Sequence, residues 1–559
     1  MKNFFKNNWL LILVLLSCYW AVRPLLSAGF FPMHDDTQPA RIGMMFNALS
    51  QGQFPVRIVD GLGYGFGYPI FNFYAPLAYY FGAFFKLFSV SFITATKLSF
   101  IFSLITAAVT AYFLGKELWG KWGGALTALF YIFAPYHAVN LYVRGALSEL
   151  WALAFAPLIY LGLIKMFQAK QISSFAVTIF TFGFVGVMLS HNLSVLINLP
   201  FVTLWILIML LVKKEKAIFL KNLLLTVFFS VGLSAFYWLP ALLEMRVTKV
   251  FGQIGGGADF ADHFVFFDQL WASPWGFGGS APGRLDGLSF MVGKIHVILA
   301  GFVLIVFLIR LLKKKKDLLL LIGLLTTGFF LSLFLTLSCS SFFWQAIGPM
   351  AFIQYPWRFL GMAILFVSLL AGGLPLLLGK REVLKMVLIV FFSIGLITFS
   401  QKYFQAQTVT HKTDQDYLSE EKIKWDVSKI SDEYLPKNFP VPEIKEEVAW
   451  QRLVQLTATA EFEKIDHRLT EQKFIIKAAD SSEFLINIAA FPGWQIKVNG
   501  QKIEPEIDQG KYKLALDKGE SLLELQFNNT PVRNIANLIS LFWLFGFLAF
   551  IFKFNKKNA

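Results

Sequence analysis

The stretch FPMHDDTQPARIG occupies Phe31–Gly43 and follows an apolar run at residues 9–26. A run of that length suits a helix that crosses the hydrocarbon core of a bilayer, which needs roughly 20 residues. The stretch therefore marks the place where the chain leaves a membrane. It puts a histidine and two adjacent carboxylates, His34, Asp35 and Asp36, at that surface.

The composition of the whole chain is typical of a protein with many membrane spans. Of its 559 residues, 56% are hydrophobic and only 15% are charged. Hydropathy predicts twelve spans, near residues 9–26, 95–115, 122–136, 149–164, 173–190, 193–212, 218–239, 296–312, 318–338, 358–379, 384–400 and 535–552. Because segment 73–89 carries Pro76 and Lys86, we interpret it as an interfacial or re-entrant helix.

The basic residues lie on alternate connections between these spans. Together the connections hold 21 lysines and arginines against four acids, and their net charge of +17 exceeds the +15 of the whole chain; they are residues 1–8, 115–122, 165–171, 213–221, 310–317, 380–385 and 553–559. The positive-inside rule places them in the cytoplasm. Topology thus explains the basic character, and we expect no nucleic-acid partner.

This topology predicts a multi-pass protein of the cytoplasmic membrane with both termini in the cytoplasm. The membrane domain is residues 1–400, and its long outer loops are 27–94, 137–148, 240–295 and 339–357. Residues 401–534 form a β-rich extracytoplasmic domain, and residues 535–559 a final membrane helix with a basic tail. The fold class is therefore mostly α, with a C-terminal β-sandwich-like domain.

The prediction of a β-sandwich comes from residues 455–530, where long apolar runs stop. Asn499-Gly500 separates two strand-like segments and is typical of a hairpin turn. Alternation in LLELQFN puts Leu523 and Phe527 on one face. Trp494 either belongs to the core or stacks on a sugar ring.

A helix is predicted directly after the two carboxylates. Ile42, Met45, Phe46 and Leu49 fall on one face, which indicates an amphipathic helix on the bilayer. Asp36 or Thr37 could cap this helix. Because one cap suffices, Asp35 invites another interpretation, as a base that takes a proton from a hydroxyl group.

Five short motifs carry a resemblance to a known family. In chain order they are MHDD (33–36), ARIG (40–43), LSQGQFPVRI (49–58), GYGFGYPIFNFYAPLAYYFG (63–82) and QYPWRFLG (354–361). They resemble the bacterial membrane proteins labelled 6-pyruvoyl-tetrahydropterin-synthase-related. The chain lacks the histidine triad that binds zinc in the soluble pterin synthase. More broadly, its plan is similar to the GT-C class of membrane glycosyltransferases, which implies sugar transfer from a polyprenyl-phosphate donor.

The second outer loop contains APYHAVNLYVRGALSEL, residues 134–150. It is similar to an oligosaccharyltransferase stretch, and the resemblance carries over by position to Pro135, Arg144, Gly145 and Glu149. The chain has one acid there instead of two, and its first loop has no Asp-x-Asp. We therefore predict no metal site and no cofactor, since the residues do not support a divalent metal.

A polyprenyl-phosphate sugar already has a good leaving group, so one base and positive charge should suffice. Our hypothesis takes Asp35 as the base, supported by Asp36 or His34, while the choice between the two aspartates stays open. Arginine binds phosphate through a rigid bidentate fork. The candidate donor-binding residues are Arg41, Arg144, Glu149, His191, Arg284 and Arg358.

The predicted function is inverting transfer of a sugar to a glycan, lipid or protein acceptor of the envelope, at the extracytoplasmic surface of the lipid bilayer. One alternative is a flippase or transporter of lipid-linked sugars. It would have inverted repeats and charges deep within its spans, whereas the nearest charge here is Lys97, close to a span end. Another is a non-catalytic envelope assembly protein. We further interpret loop 240–295 as a mobile lid over the substrate.

Overall fold

The computed structural model describes residues 2–253, 255, 258–311, 316–457 and 460–558. Three lysines of the basic connection 310–317 and three residues of the loop 240–295 lie outside these ranges, namely Lys313, Lys314, Lys315, Ile254, Gly256 and Gly257.

Most of the described chain is helical. The α-helices are α1 (Lys2–Leu26), α2 (Gln38–Ser50), α3 (Ile70–Phe73), α4 (Leu77–Lys86), α5 (Phe92–Ile132), α6 (Pro135–Ala138), α7 (Leu147–Gln168), α8 (Ser174–Ser190), α9 (Asn192–Val212), α10 (Lys216–Leu233), α11 (Ala235–Glu244), α12 (Phe267–Trp271), α13 (Lys294–Leu311), α14 (Lys316–Thr336), α15 (Ser341–Ala346), α16 (Leu360–Ala371), α17 (Glu382–Ser400), α18 (Gln415–Leu418) and α19 (Pro531–Asn558).

Among the described residues, nine helices are long and apolar enough to cross a membrane. Two shorter apolar helices accompany them, Ser174–Ser190 and Lys294–Ile309. The polytopic helical class is thereby confirmed, although the count of twelve spans is not. Segment 73–89 contains only the ten-residue helix α4, whose length of about 15 Å is half the thickness of a bilayer core.

Helix α5 contains two of the predicted spans, joined by a single turn residue. Gly120 has φ 76° and ψ −179°, a conformation that side chains disfavour, and it reverses the chain. A Cβ on Gly115 would lie 2.5 Å from Thr127 Oγ1, although a straight helix would separate these residues by about 18 Å. The two halves therefore pack on each other, and the connection predicted at 115–122 shrinks to one residue.

The C-terminal domain is the β-sandwich that alternation predicted. Its strands are β1 (Leu453–Gln455), β2 (Ala460–Arg468), β3 (Glu471–Ala478), β4 (Ser482–Ile486), β5 (Trp494–Val498), β6 (Gln501–Ile503), β7 (Glu506–Asp508), β8 (Lys511–Leu516) and β9 (Gly519–Phe527). They form antiparallel sheets of order β1-β4-β8-β7 and β2-β3-β9-β5-β6. Asn499 (φ 50°) and Gly500 (φ 78°) make the predicted hairpin turn.

The core of the sandwich comes from both sheets. Leu523 and Leu525 are fully buried and Phe527 is 9% exposed, as their shared face required. Trp494 packs edge-on against Phe527, with ring centroids 5.2 Å apart, and its buried Nε1 has no hydrogen-bond partner. The tryptophan therefore belongs to the core of the domain.

Residues 401–452 lie on the first loop of the membrane domain and outside the sandwich core. The Asp414 carboxylate accepts hydrogen bonds from the backbone N–H groups of Phe92 (2.8 Å) and Ile93 (3.1 Å), at the N-terminus of α5. Phe30 and Thr410 pair through their backbones. We call this end of the helices, where residues 27–91, 134–146, 245–293 and 401–452 lie, the loop face.

Helix α2 departs from the prediction of a helix on the bilayer. Ile42 and Met45 are fully buried, and α2 packs against α4, α5 and α18. A Cβ on Gly43 would lie 2.4 Å from the Leu418 side chain, so the contact with the tail segment is close. The apolar face of this helix is thus covered by protein.

Candidate functional site

Four of the predicted site residues meet in one buried cluster at the loop face. Arg144 ends the π-helical turn Val139–Arg144, and Gly145 (φ 66°) redirects the chain into α7. This turn brings the Arg144 guanidinium 2.7 Å from the Glu149 carboxylate one helical turn later. Only 10% of the Arg144 side chain and 4% of the Glu149 side chain is exposed.

Arg358 reaches the same carboxylate from the turn Pro356–Phe359, which precedes α16. Its Nε lies 3.9 Å from Glu149 Oε2, which is an ion-pair distance, and this buried N–H has no hydrogen-bond partner. The Arg144 guanidinium stacks over the Trp357 ring, 4.5 Å from its centroid. Two guanidinium groups and one carboxylate give the cluster a net charge of +1.

His191 joins the cluster from the junction between α8 and α9. Its Nδ1 lies 2.8 Å from Ser194 Oγ. Burial lowers the pKa of His191 to about 3; Glu149 works against this shift, and the two arginines reinforce it. The imidazole is therefore neutral at neutral pH and leaves the cluster with its net positive charge.

The segment that carries Asp35 is bonded directly to the segment that carries Arg144. His34 N–H donates to Val143 O (3.1 Å), and Asp35 N–H donates to Arg144 O (2.9 Å). The Gln38 side-chain amide donates to Gly145 O (2.9 Å). These bonds hold the first carboxylate of the opening stretch against the loop that carries the cationic cluster.

The half-buried Asp35 carboxylate forms no hydrogen bond or ion pair within the described part of the chain. It nevertheless lies within electrostatic range of the cluster. Burial alone lowers the pKa of the Arg144 guanidinium, but Glu149 and, to a smaller extent, Asp35 raise it, and the net pKa is raised. Asp35 is thus an ionisable group without a partner beside a field of positive charge.

The neighbouring Asp36 is fully engaged. Its carboxylate lies 2.7 Å from Lys412 Nζ and accepts a hydrogen bond from Tyr417 OH at 2.7 Å. Neither Asp36 nor Thr37 caps α2, because Thr37 occupies the N-cap position without a side-chain hydrogen bond. The capping interpretation was therefore wrong, and Asp36 fastens the tail segment to the first loop.

The other predicted residues lie around the cluster or away from it. His34 is exposed, and its Nε2 donates to Phe277 O (3.0 Å) on loop 240–295. Arg41 is buried beside the Tyr79 hydroxyl (3.3 Å), where the Asp35 carboxylate also favours its charge. Arg284 lies apart, exposed and paired with Asp268 at 2.7 Å.

The structure adds residues that the sequence analysis did not select. Tyr136 OH donates to Glu149 Oε1 (2.6 Å), and Asn140 contacts both Glu149 and Arg144. Tyr136 and Asn140 lie in the quoted stretch 134–150, so their spacing from Arg144 was a usable signal. Lys412 had no such signal, since it lies 376 positions from Asp36.

The cluster is closed in this conformation. The cavity that Glu149 and Arg358 line measures about 10 Å³, enough for at most one water molecule. No group of three or more His, Cys, Asp or Glu side chains in the described ranges is arranged to hold a metal ion. A phosphate could reach the cationic groups only after neighbouring side chains move apart.

Comparison with known proteins agrees with the resemblance seen in the motifs. Residues 71–251 match the family model described as "6-pyruvoyl-tetrahydropterin synthase related domain; membrane protein". The resemblance to that family is thereby confirmed for this part of the chain. The match begins after Asp35 and includes the loop with Arg144 and Glu149.

One relative is an uncharacterized protein of Lactococcus lactis subsp. cremoris (strain MG1363), 28% identical over 332 residues. The alignment covers 56% of this chain and 52% of that protein, so the chain spans about half of the relative's length.

Two solved structures are similar at a TM-score of 0.42 each. One is the arabinofuranosyltransferase AftD from Mycobacteria, at 14% identity, with 72% of this chain and 27% of that chain covered. The other is the Archaeoglobus fulgidus oligosaccharyltransferase in its apo form, at 10% identity, with 79% and 61% covered.

Proposed function

We propose that this protein is a membrane glycosyltransferase of the GT-C type, which transfers a sugar from a polyprenyl-phosphate donor to an acceptor hydroxyl of the cell envelope. The proposal rests on one observation: a carboxylate and a guanidinium group lie on two segments that are joined by backbone hydrogen bonds. An unpartnered carboxylate, Asp35, is bonded through its backbone to the segment that supplies Arg144. A base and a fixed positive charge are what this transfer needs.

In the proposed reaction, Asp35 takes the proton of the acceptor hydroxyl. The hydroxyl oxygen then forms a bond to the anomeric carbon as the bond from that carbon to the phosphate oxygen breaks. A single displacement of this kind inverts the anomeric centre. The electron pair leaves with the polyprenyl phosphate, and the added negative charge is stabilised by Arg144 and Arg358.

The roles of the other residues follow from their contacts. Glu149 holds the two guanidinium groups at one place, because a single carboxylate oxygen lies 2.7 Å from Arg144 and 3.9 Å from Arg358. Asp36 is paired with Lys412 and is therefore a poor candidate for the base, which favours Asp35. Arg358 can turn toward a phosphate by exchanging its hydrogen bond to Ile353 O.

The test is sugar transfer in membranes that contain the full chain, with radiolabelled polyprenyl-phosphate sugars as donors. We expect Asp35→Asn to lower the rate by at least about 100-fold, because a positioned general base contributes roughly 10² to 10⁴. Asp268→Asn is the matched control, since that aspartate is exposed and its ion-pair partner is Arg284 on the same loop. Equal transfer by Asp35→Asn and the wild type would overturn the proposal.

A further inference from the structure

A second cavity at the loop face has no part in the proposed reaction. Its volume of about 680 Å³ is within the range of small-molecule sites. It lies where α13 begins, at Lys294, and where α17 ends, at Ser400, and the loop 272–275 covers one side. The cavity therefore opens between the ends of α13 and α17 that lie at the loop face, and both helices are apolar.

The polar lining of the cavity includes positively charged groups that have no acidic partner within the described residues. Lys294 and Lys402 both line the cavity, and neither has an acidic partner among the described residues. Each instead lies over an aromatic ring, Lys294 Nζ 5.8 Å from the Trp271 centroid and Lys402 Nζ 5.0 Å from the Tyr403 centroid. The described lining contains no aspartate or glutamate, so two positive charges face the cavity without compensation.

Two buried polar atoms in the same lining also lack partners. Ser273 is 8% exposed and its buried Oγ makes no hydrogen bond; the same is true of the buried Nε1 of Trp275. A buried polar group without a partner costs about 1–3 kcal/mol, so a ligand that supplies acceptor oxygens would be favoured here. The cavity lining thus combines two exposed lysines with two residues, Ser273 and Trp275, whose buried donors lack partners within the described residues.

Apart from His296 and Ser400, which donate to the backbone carbonyls of Phe130 and Phe133, the remaining walls are mostly apolar and continue into exposed apolar surface. Ile295, Leu396 and Phe399 line the cavity from α13 and α17, and Phe399 is 64% exposed. A ligand that satisfies both kinds of wall has several anionic oxygens at one end and a hydrocarbon chain at the other. A free phosphate would leave the apolar half of the cavity empty.

We propose that the cavity between the Lys294 end of α13 and the Ser400 end of α17 binds the phosphate head group of a lipid that enters from the bilayer. The lipid is either an ordinary anionic phospholipid or a polyprenyl phosphate, since both carry the same chemistry. The site is separate from the cluster of Arg144, Glu149 and Arg358. The inference rests on the cavity alone and holds whether or not the chain transfers sugars.

The experiment measures lipid retention by the purified full chain, with native mass spectrometry in detergent. The probes are phosphatidylglycerol, undecaprenyl phosphate and, as the neutral-charge reference, phosphatidylcholine. We expect the two anionic lipids to bind at least about tenfold more tightly than phosphatidylcholine. Preferential retention of undecaprenyl phosphate would identify the polyprenyl source, and equal retention of both anionic lipids would identify the shared phosphate.

The variants separate this site from general charge. Lys294→Gln with Lys402→Gln should weaken retention about tenfold, whereas Lys294→Arg with Lys402→Arg should keep it at the wild-type level. The matched control is Lys502→Gln with Lys518→Gln, which removes the same charge from exposed positions on the β-sandwich. Trp275→Phe keeps an aromatic side chain but replaces the indole and removes its N–H donor, so it should weaken retention by a smaller factor.

Two results would overturn the inference. One is wild-type retention of anionic lipid by the Lys294/Lys402 double variant. The other is binding of phosphatidylcholine, whose phosphate is neutralised by its choline group, as tight as that of the two anionic lipids. Because both lysines are exposed, misfolding is not expected, and the thermal unfolding midpoint of each variant checks this. Sugar transfer is not part of the readout, so the outcome is independent of the Asp35 experiment.

Discussion

Among the described residues, two buried clusters each contain two arginines and one glutamate. The first contains Arg144, Arg358 and Glu149. The second contains Arg533, which lies 2.9 Å from the Glu244 carboxylate, and Arg57, which donates to Asn72 Oδ1 (3.5 Å). Asn72 (2.8 Å) and Thr530 (2.6 Å) in turn donate to Glu244. Two arginines around one glutamate therefore do not by themselves indicate a site.

The difference between the clusters lies in their surroundings. The second cluster joins α11 and the first loop to the start of α19, where Arg533 also donates to Pro492 O (2.9 Å) at the edge of the sandwich. The first cluster has Asp35 beside it, a carboxylate that has no partner in the described ranges. We infer that the second cluster is a structural joint and that the first is poised for a ligand.

Removing a charge from the joint should have the largest effect on stability. Arg533→Gln leaves the buried Glu244 without its principal ion pair, and we expect a loss of about 3–5 kcal/mol in the free energy of unfolding. Thermal and chemical unfolding in detergent measures this, with the exposed Arg468→Gln as the control. A loss below about 1 kcal/mol would contradict the assignment of this cluster as a joint.

The corresponding change in the first cluster should affect transfer and leave stability nearly intact. Arg358→Gln removes one of two like charges while Arg144 keeps its ion pair with Glu149, so we expect unfolding to change by less than about 1 kcal/mol. Transfer should fall about 100-fold, which equals about 2.7 kcal/mol in the barrier. A stability loss as large as that of Arg533→Gln, with transfer unchanged, would erase the distinction between the clusters.

A smaller effect on stability is expected where residues 401–452 are bonded to the first loop, through Asp36. Asp36→Asn weakens the contacts with Lys412 and Tyr417, and both members of the ion pair are partly exposed. We therefore expect a loss of about 1 kcal/mol in the free energy of unfolding. Limited proteolysis of residues 401–452 should become faster, and an unchanged rate would count against this fastening.

The smallest effect is expected at the exposed pair of Arg284 and Asp268. Their side chains are 60% and 64% exposed, and surface ion pairs contribute little. Arg284→Gln should change the free energy of unfolding by less than about 0.5 kcal/mol and leave transfer unchanged. A transfer defect would bring Arg284 back into the donor-binding group, where the sequence analysis had placed it.

The local sequence pattern was sufficient to predict the helices, the β-sandwich and part of the candidate site. Hydropathy predicted the helices, and alternation predicted the sandwich with its turn at Asn499-Gly500, because both signals come from neighbours along the chain. The resemblance of residues 134–150 to an oligosaccharyltransferase stretch supplied Arg144 and Glu149, which the structure places 2.7 Å apart. The sequence pattern did not predict what covers α2, because an apolar helix face has the same pattern whether lipid or protein covers it.

The sequence by itself determined the membrane class of this protein, its β-sandwich and the presence of two carboxylates after the first span. Only the tertiary structure decided which of the two is free, because the partner of Asp36 is Lys412, 376 positions away. It also decided that Arg358 lies 3.9 Å from Glu149, whereas Arg284 pairs with Asp268. Ion pairs depend on distances in space, which no spacing along the chain fixes once loops bring remote segments together.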